Sequence, residues 1–192
     1  MTKVLLCGDS FAVNYRRPEE PGWVNMLEKH YELDNRAQAG VGEYKILQQL
    51  LKIETIAKYD RCIVFHTSPN RVHIDSIPFH ENLHQHSDLI FQDVMYHYGK
   101  NPNDQTLKAA KLYFEQIFDE TYYQDVYQLI FDKIVNLCII PTLHVFSLYM
   151  PAHSGLDYIN LQKLITIQPG KTNHMSYDDN QFVAKSIQDW LK

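Results

Sequence analysis

The run Val4-Leu5-Leu6-Cys7 is apolar at every position and is stopped at once by Gly8-Asp9. A segment this short with no polar face fits a strand covered on both sides, the environment of a parallel sheet rather than of an antiparallel sheet open to water. Cys62-Ile63-Val64-Phe65 repeats the pattern, a further strand is expected near Tyr31 to Leu33, and Leu143 to Leu148 supplies another. Helical periodicities lie between them: Val24, Leu27 and Tyr31 after Pro21-Gly22, then Ile46, Leu47, Leu50 and Leu51. Strand alternating with helix predicts an α/β fold on a parallel sheet with right-handed crossovers.

From about 72 to 103 the alternation stops, and the segment carries His73, His80, His84, His86 and His97, half of the 10 histidines. It reads as an insertion. Leu107, Ala110, Phe114 and Ile117 then recur at helical spacing, as do Val126, Ile130, Ile134 and Leu137, predicting a long helix or a helical pair before Pro141. The chain should end in an amphipathic helix through Val183, Ile187, Trp190 and Leu191, opened by Ser176 with Asp179 in a capping-box arrangement where Asp replaces Glu or Gln. With 192 residues, no internal repeat and no linker, residues 1–192 are expected to form a single domain with an insertion at about 72–103.

Charge narrows the partners. The 18 Lys and Arg against 23 Asp and Glu give a net charge of −5 with no basic stripe, which argues against nucleic acid. Cys7, Cys62 and Cys138 sit in apolar runs without metal-ligand spacing and read as reduced core residues. No stretch reaches 18 apolar residues and the N-terminus lacks a leader pattern, so the expectation is a cytoplasmic protein without a membrane partner.

Gly8-Asp9-Ser10-Phe11 follows the first buried strand directly, placing Ser10 at the carboxyl edge of the sheet, where open α/β folds bind ligands. Asp9 or Ser10 there can equally cap a short helix. Near the other end, Asn173-His174-Met175-Ser176 precedes the last helix, with Ala184 ten residues after the histidine. Together these blocks resemble the SGNH (GDSL) hydrolase superfamily and bracket nearly the whole chain. The resemblance implies a three-layer α/β/α sandwich on a parallel, flavodoxin-like sheet of about five strands. It also implies an esterase or deacetylase acting without metal or cofactor on a small acyl ester or an acylated carbohydrate. Ser10 matches the nucleophile, supported by Asp9, and His174 matches the general base.

Within Asn35-Arg36-Ala37-Gln38-Ala39-Gly40-Val41-Gly42, Gly40 resembles the family's oxyanion glycine and Gly42 is the fallback. A glycine pair before a helix also serves simple turn geometry. The family's Gly-x-Asn-Asp block is replaced by His66-Thr67-Ser68-Pro69-Asn70-Arg71, in which Asn70, or Ser68 through its hydroxyl, is the matching oxyanion donor. Ser-Pro-Asn is equally a good turn sequence. The family also expects an aspartate three residues before the histidine, where this chain has Lys171, and a lysine cannot accept the imidazole N–H. A backbone carbonyl, a carboxylate such as Asp157 or Asp178, or the loss of catalysis are the three ways to account for that.

Two other functions compete. An SGNH-like scaffold without turnover would bind a glycan or acyl group. His80-Glu81-Asn82-Leu83-His84 matches the H-E-x-x-H pattern of zinc metallopeptidases, with His86 nearby, but Pro78 interrupts the approach, and Ser87 and Ile90 stand where an extended motif needs glycine and histidine.

Overall fold

Alternate residues of a strand point to opposite faces, so strands apolar at every position need two covering layers. The computed structural model, which describes residues 1–15, 19–75, 87–168 and 171–192, supplies both. Val4 and Leu6 of β1 (Lys3–Cys7), with Ile63 and Phe65 of β3 (Arg61–His66), pack against α1 (Trp23–Leu27) and the last helix, α6 (Tyr177–Leu191). Leu5 and Cys7, with Cys62 and Val64, face α2 (Glu43–Leu51) and α5 (Glu120–Leu137) on the other side. The remaining strands are β2 (Glu32–Asn35), β4 (Thr142–Phe146) and β5 (Asp157–Asn160), and the order β2-β1-β3-β4-β5 is parallel throughout. This is the doubly wound order, whose ligand crevice lies at the carboxyl ends of β1 and β3 where the winding reverses.

The three-layer sandwich with a five-stranded flavodoxin-like sheet is therefore the observed fold. Details differ from expectation for local reasons. The first helix stops at Leu27 instead of reaching Tyr31, because only four residues separate it from β2 and the exposed turn Glu28-Lys29-His30 must reverse the chain. The segment before Pro141 is a helical pair: α4 (Gln105–Gln116) is capped by Asp104, whose carboxylate accepts from Thr106 and Leu107 N–H, and α5 is capped by Asp119. Between 72 and 103 lies α3 (Phe91–Lys100), packed on α4, together with an antiparallel bridge between Val72 and Leu89. Ser176 caps α6 by accepting from Asp179 N–H at 3.0 Å, while its hydroxyl donates to the Asp179 carboxylate at 2.7 Å, a variant of the capping box. Cys7 and Cys62 are buried and Cys138 is half-buried, all three as free thiols. No helix among the described residues is long and apolar enough to cross a membrane.

Candidate active site

Gly8 sets the position of Ser10. A Cβ on residue 8 would sit 2.7 Å from Phe65 Cβ and 3.1 Å from Ala12 Cβ, so the turn lies tightly against β3 only because residue 8 has no side chain. The buried Gln49 clamps the same peptide, accepting from Gly8 N–H at 2.8 Å and donating to Gly8 O at 3.0 Å. Overpacking of this kind typically costs about 1–3 kcal/mol, and Gly8→Ala is expected to lower unfolding stability by that amount in urea titration. A Gly8→Ala protein as stable as the parent would contradict this packing.

Asp9 is fully buried and its Oδ1 accepts from Phe11 N–H at 3.0 Å, closing the turn, while its Oδ2 has no partner among the described residues. Burial raises its pKa, and the Arg71 guanidinium works against that rise. Ser10 is 7% exposed, and its Oγ lies 2.9 Å from His174 Nε2. The two blocks read from opposite ends of the sequence thus meet, 164 residues apart along the chain.

The histidine is held by its neighbour. Asn173, fully buried, donates from Nδ2 to both Phe11 O and Val13 O at 2.9 Å, tying the histidine loop to the serine turn. Asn173 and His174 adopt left-handed φ values of 53° and 58°. Asparagine tolerates that region and histidine less readily, and such strain of order 1–3 kcal/mol per residue persists where surroundings enforce it. Here Asn180 supplies part of the enforcement, donating to Thr172 O at 3.1 Å and Ser176 O at 3.0 Å while accepting from Trp23 N–H at 2.9 Å. Desolvation, and secondarily the positive charge of Arg71, lower the His174 pKa. Its Nδ1 has no partner among the described residues. Asp157 accepts from Trp190 Nε1 at 3.0 Å, and Asp178 is exposed in the first turn of α6, so neither carboxylate folds back to the imidazole. The Lys171 ammonium faces Glu20 at 3.4 Å.

Asn35 ends β2, and its side chain donates to Ala12 O at 2.9 Å, joining the glycine loop to the serine turn. The two glycine candidates then separate. Gly42 N–H is consumed by the buried Asp88 carboxylate at 2.6 Å. Gly40 has φ +76° and uses its carbonyl, which accepts from Asp88 N–H at 2.8 Å and Arg71 Nη1 at 3.2 Å, whereas its N–H has no acceptor among the described residues. The N–H of Ser10 likewise has none. Asn70 is exposed and lines a groove with Phe91, Phe114 and Phe118, and its described contact is backbone N–H donation to Ser68 Oγ at 3.2 Å. Ser68 lines a different cavity of about 270 Å³ with Glu43, Arg71, His73, Tyr44 and Tyr127.

Four polar residues here escape sequence reasoning. Glu43, buried in the first turn of α2, accepts from His66 Nδ1 at 2.5 Å and from Thr67 N–H at 3.3 Å, and His66 Nε2 meets His144 Nδ1 at 2.9 Å. This Glu–His–His chain pins the carboxyl end of β3 to α2 and β4; burial holds the His144 pKa down at about 3, so that ring stays neutral. Arg71 is the fourth. The H-E-x-x-H segment and His86 lie outside the described residues.

Among solved structures, the chain is similar to a protein described as lipolytic and of the G-D-S-L family from Desulfitobacterium hafniense DCB-2. The identity is 11%, over 96% of this chain and 97% of that one, with a TM-score of 0.53. It is also similar to the acetyl xylan esterase AlAXEase, at 14% identity over 99% of this chain and 100% of that one, with a TM-score of 0.53. The chain has the SGNH (GDSL) hydrolase fold. No protein-family model and no curated protein sequence matches it. In this chain the turn after β1 and the loop before α6 bring Ser10 and His174 within hydrogen-bond distance.

Proposed function

We propose that the chain is a serine esterase, and the observation that carries this is the 2.9 Å contact between Ser10 Oγ and His174 Nε2 at the carboxyl edge of β1. In this reading His174 Nε2 takes the hydroxyl proton as Ser10 Oγ bonds to the ester carbonyl carbon. The same nitrogen returns the proton to the departing alcohol as the C–O bond breaks, and water then releases the acyl group by the reverse sequence. In this reading the N–H groups of Ser10 and Gly40, which have no acceptor among the described residues, donate to the developing oxyanion, each such donor contributing roughly 3 kcal/mol. The proposed substrates are small acyl esters or acylated carbohydrates, a class supported by the acetyl xylan esterase among the similar structures.

The binding-protein alternative keeps one specific support, the absence of an acceptor for His174 Nδ1 among the described residues. Hydrolysis of p-nitrophenyl acetate separates the two: turnover above the uncatalysed rate supports the esterase, and none supports the binder. A base must be neutral to act, and the His174 pKa is lowered, so the acid limb of kcat/KM is expected below the ordinary histidine value of about 6.5. Activity should persist as pH falls past that value and disappear only on crossing the lowered pKa. A pH–rate profile with its acid midpoint at or above about 6.5 would contradict this account of the site.

A further inference from the structure

Resting on the esterase reading above, we propose that Arg71 supplies the oxyanion donor that the missing Gly-x-Asn-Asp asparagine would otherwise provide. Three observations converge on it. First, Asn70 is exposed, lines the groove of Phe91 and Phe118, and has no hydrogen bond to Ser10 or His174 among the described residues. Second, the next residue is tied to the glycine loop. Arg71 donates from Nη1 to the carbonyl of Gly40 at 3.2 Å and from Nε to Thr67 Oγ1 at 3.1 Å, which anchors the guanidinium between the glycine loop and the end of β3. Those two bonds fix the plane of the fork and leave Nη2 without a partner among the described residues. Third, no carboxylate among the described residues pairs with this cation, although arginine ordinarily finds one when it is half-buried. Its charge acts on the groups on either side of the nucleophile, opposing the rise of Asp9 and lowering His174.

A guanidinium fits the task physically. As Ser10 Oγ attacks, an electron pair moves onto the carbonyl oxygen, and a planar cation held in advance stabilises that charge without reorganising at the moment of reaction. The same charge is least useful to the neutral ester, so its effect falls on the transition state, not on substrate binding.

The test compares Arg71→Ala, Arg71→Lys and Asn70→Ala with the parent on p-nitrophenyl acetate, alongside Ser10→Ala. Arg71→Ala should lower kcat by on the order of 10²- to 10³-fold with KM nearly unchanged, and millimolar guanidinium chloride should restore part of the rate. Its acid limb should also move to higher pH, because removing a positive charge near His174 lets the imidazole hold its proton more readily. Arg71→Lys, which keeps the charge and much of the stem, should lose less and keep the parent acid limb, and it decides the matter if Arg71→Ala does not fold. Asn70→Ala should match the parent. A folded Arg71→Ala with parental kcat, or with only KM raised, overturns the proposal, as does a loss of rate in Asn70→Ala as large as in Arg71→Ala. Full activity in Ser10→Ala would instead bring down the esterase reading itself.

Discussion

Ser10→Ala is expected to abolish ester turnover and to leave the fold intact. Removing the nucleophile of a serine hydrolase typically lowers kcat on the order of 10⁶-fold, and a loss of that size would take this activity to background. Stability should change little. Ser10 sits in the turn after β1, and among the described residues its side chain makes one hydrogen bond, to His174, and caps no helix. Losing one such bond costs about 0.5–1.5 kcal/mol. The turn itself is set by Gly8, Gln49 and the Asp9 carboxylate, all unchanged. Turnover and urea unfolding measured on one preparation check both halves. Residual activity above about one per cent in a folded Ser10→Ala protein sinks the nucleophile assignment.

The second large effect is a gain. Lys171→Asp places a carboxylate three residues before His174, where the SGNH pattern has one, and one turn of backbone away, since His174 N–H donates to Lys171 O at 3.0 Å. An imidazole whose Nδ1–H lacks an acceptor wastes part of its population in the wrong tautomer, and a full deficit of this kind is worth on the order of 10⁴ in rate. Lys171→Asp is therefore expected to raise kcat at least roughly tenfold, with that figure as the ceiling. It should also move the acid limb up, because a nearby negative charge favours the imidazolium. The substitution removes the Lys171–Glu20 ion pair, whose members are 49% and 48% exposed, and such a pair contributes about 0–1 kcal/mol. An unchanged kcat with an unchanged melting temperature would mean that His174 is already oriented, and the acceptor is then one the sequence does not supply.

Legibility followed burial. β1 and β3 could be read from Val4-Leu5-Leu6-Cys7 and Cys62-Ile63-Val64-Phe65 because a strand covered twice has no room for polar residues. β5 could not: Asp157 and Tyr158 are exposed, as an edge strand allows, and four residues give no period to detect. α3 was equally silent, since Val94 is its one buried residue. At the site, Ser10 and His174 stand in local blocks whose neighbours betray them. The remaining polar residues depend on partners far along the chain. Gly42 is occupied by Asp88, 46 residues away, and Glu43 by His66, 23 away; nothing beside either residue announces the pairing. Arg71 has no signal in the sequence because its contacts, Gly40 and Thr67, come together only in the folded sheet edge.

Intact-mass labelling with a fluorophosphonate, followed by peptide mapping, tests the central claim most directly, because the probe bonds only to a serine activated by a base and an oxyanion site and needs no knowledge of the natural ester. The account predicts a single adduct, on Ser10, that disappears in Ser10→Ala. A folded protein that takes no label, or that takes it at another residue, would contradict it.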